Sequence, residues 1–456
     1  MVLGGVSLLS ALAALAPAPA PEAVSAVSLT APVLSARRAP GVLARLVADQ
    51  RLRADLDAAL ADPALGPGRD RSCLVVTTGS RPVVARRPDL ALIPASTLKV
   101  LTASAVLARI GGDERLLTEV RAAAPAGADG IVDGHLWLVG RGDPLLATAD
   151  YAASFPNQPP VVTPFEHLAD ALVAAGVRQV RGAVVGDESR YDTQRYLPTW
   201  KPSYREDGDI GPAGALVVND GFVAFGPRPI AAEQPALHAA SVLGALLAAR
   251  GVSVAGAPTA GVTPPGTTVL AAVPSPPIAT VVGEMLRESD NGTAELLVKE
   301  LGRRFGAGGT TADGLAVASD ALVGAGLPVG QLTTVDGSGL DRGNRASCAL
   351  LLATLAAAGP AGPIGGALPV AGRDGTLAPR FRGHPAAGRL RAKTGSLNGV
   401  VGLAGYLDRD ASPPLSFALL ANELPRDALG RRLQEDVAAA LARYPDGPEP
   451  TEIGVP

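Results

Sequence analysis

The chain has 456 residues, about three times a typical domain, and reads as two or three domains. It is 47% hydrophobic and 18% charged, which excludes global disorder and allows a large buried core. A net charge of −3 and a pI near 5.9 leave no basic footprint and exclude nucleic acid as the expected partner. Four scattered histidines without an HExxH pattern exclude a histidine-based metal site, and no metal or organic cofactor is expected.

In chain order, Met1 to Leu15 is a short apolar run followed by alternating Ala and Pro up to Pro21. The run is too short to span a bilayer comfortably and suits the core of an export signal, although a basic residue ahead of it is missing. Ala18-Pro19-Ala20 or Val24-Ser25-Ala26 would serve as the small-residue cleavage site. The expectation is an exported, cell-envelope protein with at most weak membrane association, its first 40 residues a signal-like segment and Ala/Pro-rich linker. A helix is expected from Gly41 to Leu60, and a β-hairpin from Cys73 to Thr77 and Pro82 to Ala85. Leu98 to Ile110 is apolar nearly all round and reads as a helix buried in a domain centre.

The middle alternates short strands and helices: His135 to Val139, Phe165 to Ala175, Ala183 to Val185, and Leu237 to Arg250 ending at Gly251. The proline-rich stretch Pro264 to Pro277 reads as a return crossing between domains. Helices dominate from Ile278 to Ala358. A hairpin (Gly399 to Leu407, Leu415 to Ala421) and a helix (Ala428 to Tyr444) close the chain. A helical centre between terminal hairpins predicts an α+β fold, with helices packed on an antiparallel sheet built from both chain ends. The domains expected are 41–117 with 278–456, and 118–277 as an insertion. Cys73 and Cys348 are too few for a disulfide framework, and sequence alone does not bring them within reach of each other.

Of the 40 basic residues only Lys99, Lys201, Lys299 and Lys393 are lysine. In a chain this rich in arginine, a retained lysine points to an amine that must be able to lose its proton. Two of the four fall in short motifs that occur in order: Ser96-Thr-Leu-Lys99, Ser289-Asp290-Asn291 and Lys393-Thr394-Gly395-Ser396. Each alone is weak; together and in this order they arise by chance on the order of once in ten thousand such chains.

On a helix, i and i+3 share a face, so the Lys99 amine can reach the Ser96 hydroxyl and act as its base. Burial and a second cation, with Lys393 placed for that role, would lower the amine's pKa. Backbone N–H groups at a helix start by Ser96 would face a developing oxyanion. Ser289 and Asn291 would relay a proton to the leaving amine and orient Lys99, although the same residue types also cap helices. Lys393 and Thr394, ahead of the strand from Val400, would hold a substrate carboxylate. Gly395 would leave room for the substrate backbone, and the Ser396 N–H is a second oxyanion donor. Two decoys read as structural: Arg141-Gly-Asp143 in a turn, and the Asp408/Asp410 pair in a solvated loop.

The motif set resembles that of penicillin-binding proteins and class A β-lactamases. Pro94 to Lys99, Gly140-Arg-Gly-Asp-Pro144, Gly186-Asp-Glu-Ser189, Asp336-Gly-Ser-Gly-Leu340 with Arg342, Asn344 and Arg345, Leu368 to Leu377, and Ala392 to Gly395 extend it. Together they resemble the D-alanyl-D-alanine carboxypeptidase/endopeptidase family, the low-molecular-mass class C penicillin-binding proteins, from about Gly41 to Tyr444. The resemblance implies a transpeptidase-like domain with an insertion after the first motif. It also implies an acyl-enzyme at Ser96, peptidoglycan peptides ending in D-Ala-D-Ala as substrate, and β-lactams as covalent inhibitors. The 193 residues from Ser96 to Ser289 are fewer than the family norm, with the shortening expected between Phe225 and Gln234, which would reduce endopeptidase reach. Asp341 stands where the family more usually has Ser. The alternatives are a serine β-lactamase, for which no deacylating-Glu loop is found, and a non-catalytic wall-binding or sensing protein of the same fold.

Overall fold

The computed structural model describes residues 39–448 apart from Pro227 and Ala411, so the expected export segment lies outside the described residues. Helix α1 (Ala39–Leu60), strands β1 (Ser72–Thr78) and β2 (Arg81–Arg86) and helix α2 (Lys99–Arg109) open it. Next come β3 (Leu117–Ala122), β4 (Leu136–Val139), α3 (Glu166–Ala174), β5 (Val184–Asp187), α4 (Pro235–Ala248), β6 (Thr259–Ala260) and β7 (Thr268–Pro274). Helices α5 (Ile278–Glu288), α6 (Asn291–Phe305), α7 (Thr311–Gly324) and α8 (Cys348–Ala358) follow. Strands β8 (Leu390–Leu397), β9 (Val400–Arg409) and β10 (Ser412–Ala421) and helix α9 (Asp427–Arg443) close it.

The fold is α+β. Both chain ends build one antiparallel sheet in the order β8-β9-β10-β1-β2, with Ser72 opposite Ala421 where the two ends meet. Alternate side chains of each strand leave opposite faces. Cys73, Val75, Ala404, Tyr406, Ala418 and Leu420 therefore join one core with α2, α5, α6 and α8. Leu74, Val76, Leu403, Phe417 and Leu419 join another with α1 and α9. Covered on both faces, β9 is buried from Val400 to Leu407, and its sequence there is apolar without alternation. Helix α2 lies at the centre of the first core, with Val100, Leu101, Ala103, Ala105 and Val106 buried.

Between Leu117 and Pro274 the chain forms a second, mixed sheet in the order β6-β5-β4-β3-β7. Its core is shared with α3 and α4 through Leu168, Leu172, Ala239 and Leu243. The stretch from Pro264 to Pro277 corrects the expectation of a plain crossing, because it contains β7, paired antiparallel with β3. Its prolines flank the apolar run Thr268 to Val273 or end it at Pro274. On an edge strand a missing N–H costs no ladder bond.

Two ties hold the parts together. Cys73 of β1 and Cys348 at the start of α8 form a disulfide across 275 residues of chain, which settles their pairing. The segment after β5 grips α6: Arg190 and Tyr191 donate to Glu300, and Asp192 pairs with Lys299. Glu300 also accepts from Arg304 and has no exposed side-chain surface.

Candidate active site

Ser96 lies in a 3-10 turn, Ala95–Leu98, that runs into α2, so the α-helix proper begins at Lys99 and not at Ser96 as expected. The turn is held in an uncommon backbone conformation, with Ala95 at φ 47°. Gly339, at φ 88°, abuts it so closely that a Cβ there would lie 2.0 Å from the Ala95 carbonyl oxygen. The Lys99 side chain is fully buried, and its Nζ donates to Ser96 Oγ (3.0 Å), Asn291 Oδ1 (2.6 Å) and the Ser338 carbonyl (2.7 Å).

The second motif joins two helices. Ser289 sits in the left-handed region (φ 63°) at the end of α5, and Asp290 caps α6 by accepting from Thr293 N–H. The capping role thus falls to Asp290, which frees Ser289 and Asn291 to face the site. Asn291 Nδ2 donates to the Asp209 carbonyl (2.8 Å), which fixes the amide with Oδ1 toward Lys99.

As expected, Lys393 to Gly395 lies ahead of β9, inside the edge strand β8; Lys393 is paired opposite Ala404 and Gly395 opposite Gly402. The turn between the two strands is made by Asn398-Gly399, with Gly399 at φ 71°. A Cβ on Gly395 would stand 2.7 Å from the Pro94 carbonyl oxygen, so the strand packs against the Ser96 turn only because no side chain intervenes. Buried Lys393 donates to Ser289 Oγ (2.8 Å), Thr394 Oγ1 lies 3.2 Å from Thr376 Oγ1, and Ser396 is exposed.

Burial pulls the Lys99 amine down to about 8, opposed by the charges of Asp290 and Asp336. Burial also holds Lys393 well below the usual lysine range, and the charge of Lys99 adds to it. The expected second-cation effect is therefore felt at Lys393, while Lys99 is lowered by burial. An amine near 8 keeps a usable neutral fraction at physiological pH and can take a hydroxyl proton.

All three motifs converge as two hydrogen-bonded sets, Ser96 and Asn291 on Lys99 and Ser289 on Lys393, with Thr394 to Ser396 alongside on β8. Reading by motif missed the Ser338 carbonyl, although the Asp336-Gly-Ser-Gly turn that carries it was visible. It also missed Glu295, one helical turn beyond Asn291. Of the four lysines, Lys99 and Lys393 are buried where the motifs meet, Lys299 serves in a buried ion pair and Lys201 is exposed. Of the decoys, Asp143 is buried and accepts from Leu145 N–H, while Asp408 lies on β9 paired with Arg391 and not in the solvated loop expected, which leaves Asp410 alone in the turn.

A serine hydrogen-bonded to a buried lysine, on a 3-10 turn between an antiparallel sheet's edge and a helical layer, is the arrangement of penicillin-recognising serine enzymes. Residues 52–232 and 224–444 match the model of the D-Ala-D-Ala carboxypeptidase 3 (S13) family, and the chain belongs to that family. It is 30% identical over 472 residues to a D-alanyl-D-alanine carboxypeptidase of Actinomadura sp. (strain R39), covering 86% of this chain and 85% of that protein. It is 31% identical over 446 residues to carboxypeptidase Rv3627c of Mycobacterium tuberculosis, covering 93% and 89%. The fold is that of penicillin binding protein 4 (dacB) from Haemophilus influenzae, with a TM-score of 0.68, 19% identity and coverage of 81% of this chain and 95% of the other.

Proposed function

We infer that the protein is a serine-type D-Ala-D-Ala carboxypeptidase that trims peptidoglycan stem peptides through an acyl-enzyme at Ser96. The observation that carries this is the contact between buried Lys99 Nζ and Ser96 Oγ, closed on its far side by Asn291. Neutral Lys99 takes the Ser96 proton as Oγ attacks the carbonyl of the penultimate D-Ala. The C–N bond breaks, and the departing D-Ala amine takes a proton through Ser289, which Lys393 holds in place. Water then hydrolyses the ester. Lys393 and Thr394 hold the terminal carboxylate, the peptide lies along β8, and the Ser96 and Ser396 N–H groups receive the oxyanion.

A β-lactam enters the same route, but its leaving amine stays tethered, so its ester persists. One H. influenzae penicillin binding protein 4 structure of this fold is complexed with a β-lactam (TM-score 0.59, 18% identity). The disulfide supports work in an oxidising compartment outside the cytoplasm, where peptidoglycan lies. Export by the N-terminal segment, with weak membrane contact at most, fits that setting. Among the described residues no helix is long and apolar enough to cross a membrane. The alignment to the Actinomadura enzyme is longer than this chain, and the family match is broken at 224–232. Both support a shortened insertion near Phe225.

The test is the intact mass of the protein through a time course with benzylpenicillin, beside Ser96→Ala. A lasting adduct on the wild type that the variant lacks is expected. Rapid consumption of penicillin without an adduct would make it a β-lactamase. Neither adduct nor consumption would leave a non-catalytic wall protein.

A further inference from the structure

We propose that Glu295 is a positioning residue for acylation: its carboxyl fixes the Ser338 carbonyl as an acceptor for Lys99 and so aims the amine's lone pair at Ser96. The proposal rests on the acyl-enzyme reading above. Glu295 lies on α6, one turn beyond Asn291, and is 1% exposed. Its Oε1 accepts from the N–H groups of both Gly337 (3.0 Å) and Ser338 (2.8 Å). The same turn is held from its other sides. Asp336 Oδ1 accepts from Gly339 N–H (2.8 Å), Asp336 Oδ2 accepts from Trp200 Nε1 (2.9 Å), and Thr102 Oγ1 donates to the Gly337 carbonyl (2.7 Å).

The geometry matters because of how many protons the amine carries. A neutral amine has two N–H donors and one lone pair. If Asn291 Oδ1 and Ser338 O take the two N–H groups, the lone pair can only face Ser96 Oγ–H. When the serine proton transfers, the ammonium's three donors meet three acceptors already in place. Helix α6 thus supplies one fixed acceptor directly through Asn291 and the other indirectly through Glu295.

Glu295 does this as a neutral acid. Its Oε2 is buried without a hydrogen-bond partner among the described residues, a setting that costs an ionised carboxylate more than a neutral acid. Burial, and then the charge of Asp336, push its pKa up to about 8. The charged and titratable groups around the pair are Asp336 from the turn, Lys99 from α2 with Lys393 beyond it, and Asp290 at the start of α6.

The experiment measures benzylpenicillin acylation against pH for the full-length wild type, Glu295→Gln, Glu295→Leu and Glu295→Asp, with thermal melts alongside. Glutamine keeps the acceptor and the neutral charge, so its acylation rate constant should stay within about threefold and its acid limb should not move. Leucine removes the acceptor, and aspartate withdraws it by one methylene. Both should lose about 10- to 100-fold in the acylation rate constant, with non-covalent penicillin affinity little changed. If leucine fails to fold, the contrast between glutamine and aspartate carries the test. Glutamine as slow as leucine or aspartate, or an acid limb moved to lower pH by loss of an anion, would overturn the proposal, as would leucine or aspartate at the wild-type rate. A wild type that forms no adduct sinks the acyl-enzyme reading first, so the two failures are told apart.

Discussion

Among the individual residues, Lys99 carries the most chemistry. It is fully buried, yet its Nζ has three oxygen partners and its pKa is drawn down to about 8. Only the neutral amine can accept the Ser96 proton. Acylation by benzylpenicillin should therefore rise about tenfold per pH unit on the acid side and level off above about 8, read as second-order rate constants across the neutral and mildly alkaline range. Lys99→Arg keeps the charge but cannot lose it. It should slow acylation by about 10²- to 10⁴-fold and remove that acid limb. An unchanged limb in the variant would assign the limb to another group. The sequence made this residue legible because serine and lysine three apart meet on any helical turn, 3-10 or α. The carboxyl at Glu295 was not legible. Its partners are backbone N–H groups 42 and 43 residues away in sequence, and a backbone N–H carries no residue type to search for.

Among the elements, α6 decides where the site forms, since Asn291 and Glu295 both ride on it. Far down the same helix, Glu300 gathers Arg190, Arg304 and Tyr191, and Lys299 pairs with Asp192. This latch ties α6 to the inserted region. Glu300→Ala would leave two guanidinium groups and a buried phenol without their acceptor, and should cost about 3–5 kcal/mol, read from denaturant melts. If α6 is displaced, benzylpenicillin acylation should fall with it, while a variant that melts like the wild type would show the latch to be idle. The terminal hairpins and α2 were visible in the sequence because β-branched and apolar runs between turn residues are local signals. The strand β7 was hidden by the prolines around it. Gly395 was read as leaving room for a substrate backbone, and only packing shows that it also lets β8 close on the Ser96 turn.

Across the molecule, one sheet is made from both ends of the chain, and the Cys73–Cys348 disulfide pins β1 to α8 within that topology. A cross-link closing 275 residues removes much freedom from the unfolded chain. Replacing both cysteines by alanine should cost about 2–5 kcal/mol and lower the melting temperature, while Ser96 should still react with benzylpenicillin. Loss of acylation in a folded double variant would show that the cross-link also sets the site. Edge strand β8 borders Ser96. Among the described residues its outer backbone is bridged by Pro369 and Val370 only as far as Ala392, which leaves the stretch from Lys393 onward open to a peptide.

The residue types of the site and their order could be read along the chain, because S-x-x-K, S-D-N and K-T-G each hold their chemistry within a few residues. The fold class could be read the same way, because periodicity and turn chemistry are local properties. Folding in three dimensions was needed to bring the motifs together, since 192 residues separate Lys99 from Asn291 and 104 separate Ser289 from Lys393. It also made burial, more than a second cation, the cause of the lowered Lys99 pKa, and it paired Cys73 with Cys348. Proximity, desolvation and disulfide reach are set by packing between distant segments, and no local pattern encodes them.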